Sequence, residues 1–238
     1  MKILVTSDTH TLHDKIKIIN NIHSSNGVGL HNDIHSTNGI GLHDNEADII
    51  IHCGDFTSKK RENKEDTIDF LNWYSSLPIK HKILIFGNHE YFLYDLYLKN
   101  ELDNFFKENY PNINYLQDSS IIIEGIKFYG TSWVTDIPKD AFVKKNETEL
   151  NEVFKKIDFD TNVLITHTPA FKTLDYVNKK NVGSTSLLKC IKNLKNLKYH
   201  LHGHIHECYG IKDNGNYKTI NGSFLDYLKN NEPILINL

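Results

Sequence analysis

Cysteine is scarce and unpaired in this chain: Cys53, Cys190 and Cys208 are the only three in 238 residues. An odd, widely spaced set argues against a disulfide framework and suits a reducing compartment. Each reads as a small buried apolar residue rather than a nucleophile. Charge of one sign is lacking too. The net charge is -3 with histidine neutral, so no basic surplus announces a nucleic-acid surface. The clusters Lys59-Lys60-Arg61 and Lys179-Lys180 read as solvated faces. No apolar run approaches the length that spans a bilayer, which excludes a membrane partner of that kind. A strand begins within two residues of the N-terminus and leaves no room for a signal peptide, so the expected location is cytoplasmic. The length allows a sizeable core and fits one larger α/β domain, 1–238, with no linker.

Short β-rich runs ended by Gly, Asp or Asn are present in number. Ile3-Leu4-Val5, Ile49-Ile50-Ile51, Ile83-Leu84-Ile85-Phe86 and Val163-Leu164-Ile165 read as buried strands, and Tyr199-His200-Leu201 more weakly so. Apolar spacing predicts helices over 14–23, 62–76 and 91–107, giving β-α-β-α-β and a parallel sheet covered by helices. The second half predicts a hairpin about Gly125, a strand at 162–166, and helices over 146–157 and 184–196. It closes with strands at 198–202, 208–212 and 217–221, the last two turning at Asp213-Asn214-Gly215-Asn216. Two such halves suggest two sheets packed face to face with helices outside.

One stretch stands apart. Residues 22–33 read IHSSNGVGLHND and residues 34–45 read IHSTNGIGLHDN, a tandem duplication. Two copies of so short a period cannot build a solenoid. The stretch 22–45 is expected to be a flexible loop insertion between the first two strands. Its histidines, His23, His31, His35 and His43, read as polar filler rather than ligands.

Five of the apolar runs are followed by metal-ligating residue types: Asp8-Thr9-His10, Gly54-Asp55, Gly87-Asn88-His89-Glu90, Thr166-His167-Thr168-Pro169 and Gly203-His204-Ile205-His206. In open α/β sheets, ligands gather outside the carboxyl ends of strands, so these segments are expected to converge on one crevice. Singly, each motif is weak, because Asp-x-His or Gly-Asp is most often a turn or a cap. Their joint occurrence in order is hard to obtain by chance. On an extended segment, residues two apart point the same way, so Asp8 with His10, and His204 with His206, could each grip one ion. Asp55 offers two oxygens for bridging, Asn88 a neutral carbonyl oxygen and His167 a nitrogen. Imidazole, carboxylate and carbonyl donors without thiolate suit Mn²⁺, with Fe and Zn²⁺ compatible. Two divalent ions against only two carboxylates, Asp8 and Asp55, leave a positive crevice that favours a phosphate.

This ordered set, DTH, GD, GNHE, THTP and GHIH, resembles the calcineurin-like metallophosphoesterase superfamily. The match runs from residue 8 to residue 206. The resemblance implies an α/β fold, a four-layer α-β-β-α sandwich of two mixed sheets flanked by helices, around two metal ions. It also implies that Asp8, His10, Asp55 and His206 hold one ion, that Asp55, Asn88, His167 and His204 hold the other, and that His89 is the catalytic histidine. The segments CGDFT, GNHE, YGTSW, HGHIHECYG and INGSF look like the MPPED-type branch of metallophosphodiesterases. Protein phosphatases of this superfamily extend Gly-Asp to a second Asp three residues on, where this chain has Ser58, which counts against that activity.

The expected function is hydrolysis of a phosphate ester, foremost a phosphodiester such as a cyclic nucleotide or similar small substrate. A water bridging two divalent ions loses a proton near neutral pH and attacks, and His89 protonates the leaving oxygen. A phosphomonoesterase, a nuclease on DNA or RNA and a catalytically silent metal-binding scaffold are the alternatives. A nuclease would favour a basic, aromatic-lined surface. A scaffold would have lost ligands, yet all seven and His89 are present. His13 and Trp133 are candidate substrate contacts, with plain packing the competing reading for Trp133. His52, His200 and His202 read as satisfied structural histidines. The Asn221 sequon carries little meaning in a cytosolic chain.

Overall fold

A computed structural model of the chain describes residues 1–16, 18–19, 42–43, 47–135, 137, 139–226 and 229–238. The duplicated stretch 22–45 lies outside the described residues except for Leu42 and His43, whose backbone pairs in parallel with Ile18 and Ile19. The expected helix at 14–23 is, in its described part, a single 3-10 turn at His13–Lys15 followed by that extended pair.

Strand propensity and alternation build the frame. In chain order, its strands are β1 (Lys2–Thr6), β2 (Ile49–Cys53), β3 (His81–Ile85), β4 (Ile113–Tyr115), β5 (Ser119–Ile123), β6 (Ile126–Thr131), β7 (Val163–Thr166), β8 (Tyr199–His202), β9 (Gly210–Asp213), β10 (Lys218–Asn221) and β11 (Ile234–Asn237). The first sheet has the order β11-β1-β2-β3-β4, parallel except for β11. The second has the order β9-β10-β8-β7-β6-β5, parallel inside and antiparallel at both edges. Both sheets are mixed.

Period-two alternation sorts the side chains into layers. Ile3, Val5, Ile49, Ile51, Ile83 and Ile85 of the first sheet meet Phe128, Val163, Ile165, Leu201 and Ile220 of the second in one buried cluster. The intervening Leu4, Ile50 and Leu84 face outward onto α1 (Lys64–Ser76) through Phe70, Leu71 and Tyr74. Tyr129 and Leu164 of the second sheet lie in the outer cluster that also holds Leu150 and Phe154 of α4 (Glu147–Phe154) and Leu187 of α5 (Thr185–Ile191). The result is the expected four-layer arrangement, with five α-helices among the described residues.

Local chemistry sets the helix ends. Asn146 caps α4 by accepting the Thr148 and Glu149 N–H groups, and Ser184 caps α5 by accepting that of Leu187. The helix expected over 91–107 is instead two, α2 (Tyr91–Leu98) and α3 (Leu102–Asn109). Asn100 takes φ 57°; its N–H donates to Tyr97 and that of Glu101 to Leu96. This is a Schellman closure, for which Asn substitutes when Gly is absent.

Candidate metal centre

The carboxyl ends of β1, β2, β7, β8 and β10 are stitched together by backbone bonds. Asp8 donates to Gly54, Gly203 to His167, Gly222 to His202, and Phe224 to Ser7. Each strand therefore delivers its next residues into the same crevice. The delivery differs from the expected extended i, i+2 pairing. Asp8, His10, Asp55 and His204 have φ of 51°, 40°, 56° and 72°. These are left-handed turns, a conformation that Asp and His tolerate better than β-branched residues do and that concentrates at functional sites.

Three donor groups result, each with its ligand atoms within 4.8 Å of one another: Asp8, His10 and His206; His10, Asp55 and His89; and Asp55, His167 and His204. His10 and Asp55 each belong to two of them. Asp8 is buried, and burial alone would raise its pKa. The His206 hydrogen bond and the charges of His167 and His206 outweigh this and hold the carboxyl well below its usual range. The backbone N–H of His204 and the hydroxyl of Ser223 donate to the same carboxylate, at 3.0 and 2.7 Å. Burial keeps His204 neutral by pulling its pKa down to about 3. It disfavours the charged form of His167 as well, but Asp55 prevails and lifts that pKa to about 9.

The hydrogen bonds show what these donors are prepared to hold. His167 Nδ1 lies 2.8 Å from the Cys53 carbonyl, which can only accept, so Nδ1 carries the hydrogen. In the neutral ring, Nε2 then turns a lone pair toward Asp55 Oδ2 at 3.2 Å. With the ring's pKa raised to about 9, a proton on Nε2 fills that gap in the metal-free protein, and a divalent ion can take the proton's place. His10 repeats the pattern, with Nδ1 on the Thr57 carbonyl and Nε2 facing His206 Nε2 at 3.2 Å. Ligating histidines characteristically donate their other N–H to such a carbonyl. The Asn88 Oδ1 atom is buried with no hydrogen-bond partner. At Gly87 and Gly203, a Cβ would meet Asp55 and Asp8 side-chain oxygens respectively. The donor set fits divalent ions.

Six of the seven expected ligands, all but Asn88, belong to these donor groups, and His89 joins them with Nε2 3.8 Å from Asp55 Oδ2. The other two candidates are buried in packing contacts. His13 is 3% exposed, packed on Phe70 and Trp73, with Nε2 3.3 Å from Asp69. Trp133 is 4% exposed, packed on Tyr97 and Phe142, with its indole N–H donated to Asp118. Neither belongs to a donor group.

Three residues without an assigned role from the sequence support the crevice. Glu90 accepts the N–H groups of Asp55, Phe56, Thr57 and Gly87. Ser223 holds Asp8, and Asp140 holds Asn88 through its Nδ2 at 3.0 Å. The first two sit inside quoted motifs, GNHE and INGSF, whereas Asp140 stands in a stretch with no signal.

Fold and site together define a two-sheet α/β protein with histidine and carboxylate donors gathered at its strand ends. The family model described as Calcineurin-like phosphoesterase matches residues 1–208, and the chain belongs to that family. Metallophosphoesterase domain-containing protein 1 of Homo sapiens is 34% identical over 212 residues, covering 80% of this chain and 64% of that protein. The UPF0046 protein K07C11.7 of Caenorhabditis elegans is 34% identical over 186 residues, covering 75% of this chain and 63% of that one. The chain thus spans less than two thirds of the length of these relatives, and its similarity to them agrees with the expected likeness to the MPPED-type branch. Among solved structures, TT1561 of Thermus thermophilus shares the fold, with a TM-score of 0.58 at 15% identity over 92% of this chain and 88% of that one.

Proposed function

We propose that the chain is a metal-dependent phosphoric ester hydrolase that cleaves phosphodiesters, with cyclic nucleotides and similar small esters as its substrate class. The observation that carries this reading is the sharing of His10 and Asp55 between adjoining donor groups beside His89. Asp8, His10, Asp55 and His206 are assigned to one ion, and Asp55, Asn88, His167 and His204 to the other. Manganese is the proposed metal, on donor chemistry. When bound, such ions supply a water that ionises near neutral pH and offset charge on the phosphoryl oxygens.

The protein's own groups do the rest. His89 is anchored by its backbone N–H, which donates to Asp55 Oδ1 at 2.9 Å. Burial lowers its pKa while Asp55 pulls it back up. A phosphate anion in the crevice adds to the negative charge of Asp55 and Asp140 and favours the imidazolium, which can then hand its proton to the leaving oxygen. The diester preference rests on the likeness of CGDFT, GNHE, YGTSW, HGHIHECYG and INGSF to the MPPED-type branch of metallophosphodiesterases. The chain is taken as one domain, an assignment supported by the pairing of C-terminal β11 with β1. Among the described residues, no helix is long and apolar enough to cross a membrane. The free state of all three cysteines supports a cytoplasmic location.

The test is turnover of Mn²⁺-loaded protein on bis-p-nitrophenyl phosphate, p-nitrophenyl phosphate, cyclic nucleotides and single-stranded DNA. Diesters and cyclic nucleotides should lead. Preference for the monoester or for DNA would reassign the substrate, and silence on all four would leave a binding scaffold.

A further inference from the structure

The two ends of an amide have nearly the same shape, so its neighbours decide which end faces where. At Asn88 the decision is made by Asp140. Asn88 Nδ2 lies 3.0 Å from Asp140 Oδ2. The other carboxylate oxygen, Oδ1, accepts the Tyr91 hydroxyl at 2.8 Å. A carboxylate only accepts, so the Asn88 atom beside it must be the amino nitrogen. The carbonyl oxygen is thereby turned the other way, and it is the atom left buried without a partner.

The loop that carries Asp140 is itself held against Asn88. The Ala141 N–H donates to the Asn88 backbone carbonyl at 3.0 Å, so adjacent residues grip both its main chain and its side chain. Phe142 takes φ 48° and is fully buried, with ring centroids 5.4 Å from Phe86 and 5.7 Å from Trp133. Its carbonyl accepts the Val134 N–H at 3.0 Å. On the outer side, Arg61 lies over the Tyr91 ring and donates to the Lys139 carbonyl.

We propose that Asp140, braced by Tyr91, is a positioning residue that points the Asn88 carbonyl oxygen at the ion. This rests on the reading of Asn88 as a metal ligand. An amino group cannot ligate a cation, so an amide free to turn loses the bound orientation for part of the time. Outer partners of this kind change metal affinity by about 10–100-fold.

The test is calorimetric titration of metal-free protein with Mn²⁺, alongside thermal unfolding of the same metal-free samples. Asp140→Ala should weaken one of two ions by about tenfold or more, with the unfolding temperature little changed. In an Asn88→Asp background the same Asp140→Ala change should strengthen binding. Position 88 then has two equivalent oxygens and needs no orienting, and removing Asp140 relieves a like-charge contact. A purely structural role would lower affinity, or leave it alone, in both backgrounds. Unchanged Mn²⁺ binding in Asp140→Ala would overturn the proposal. Full retention of both ions in Asn88→Ala would instead overturn the ligand reading beneath it.

Discussion

Glu90 Oε2 accepts the backbone N–H of Asp55 at 3.0 Å, across 35 positions of sequence. The same oxygen takes the Gly87 N–H, and Oε1 takes Phe56 and Thr57 at 2.9 and 3.1 Å. One carboxylate thus ties the loop after β2 to the loop after β3. Burial, with Asp55 close by, pushes its pKa up to about 7. Glu90→Gln leaves one accepting oxygen and sets an NH₂ against two buried donors. At about 1–3 kcal/mol for each of the two buried groups left unsatisfied, the substitution should destabilise the protein by about 2–6 kcal/mol in urea unfolding. An unchanged midpoint would remove Glu90 from this clasp.

The contrast between Glu90 and Asp140 shows what the sequence made legible. Continuous apolar runs, such as Ile49-Ile50-Ile51, located the inner strands because burial on both faces selects those residues. The motif residues Asp8, Asp55, Asn88, His167 and His204 stood directly after such runs, so their convergence could be foreseen from the sheet. The backbone route could not, because left-handed turns at Asp8 and Asp55 leave no period to read. Asn100 broke a helix whose apolar spacing ran on through it, since a cap is a local hydrogen-bond event. Strand β11 pairs with β1, a partner that its short run Ile234-Leu235-Ile236 does not name. Asp140 meets Asn88 and Tyr91 across 52 and 49 positions, and no pattern around it marks that.

His89 is expected to matter in proportion to the basicity of the leaving group. His89→Ala should lower turnover by about 10²–10⁴-fold on a diester with an alkoxide leaving group. The drop on bis-p-nitrophenyl phosphate should be far smaller, because nitrophenolate leaves without a proton. Metal content should stay at the wild-type level. Equal losses on both esters would show that His89 is not the proton donor.

Acid should destabilise the fold through His52. Its Nδ1 accepts the Gly54 N–H and its Nε2 faces the Thr9 hydroxyl at 3.1 Å, a neutral arrangement. Complete burial takes its pKa down to about 3, against about 6.5 in an unfolded chain. Between those values the unfolded chain binds a proton that the folded one refuses. Stability is therefore full above about pH 6.5 and falls as pH drops toward 3, by up to about 1.4 kcal/mol per unit for this one group. His200 is shifted in the same direction by burial and adds to the slope. Urea unfolding at pH 7, 6, 5 and 4 in EDTA, so that metal release does not contribute, measures it. His52→Gln should flatten the slope; an equally steep one would assign the acid sensitivity elsewhere.

The two assigned ions can be separated by two glycines. A Cβ at Gly203 would collide with Ser7 Oγ and Asp8 Oδ2, and a Cβ at Gly87 with Asp55 Oδ1 and the His167 ring. Neither glycine has a positive φ, so alanine strains no backbone there and acts only through the space it takes. Gly203→Ala should displace Asp8 from His206 and from the Ser223 hydroxyl, weakening the ion assigned to Asp8, His10 and His206. Gly87→Ala should push Asp55 and His167 apart and weaken the ion assigned to Asp55, His167 and His204. Because Asp55 is assigned to both ions, Gly87→Ala should be the more severe, reducing the affinity of both, whereas Gly203→Ala should leave one ion near wild-type affinity. Mn²⁺ titration of the two variants decides it. Two tightly held ions in both would mean that the metals sit outside this crevice.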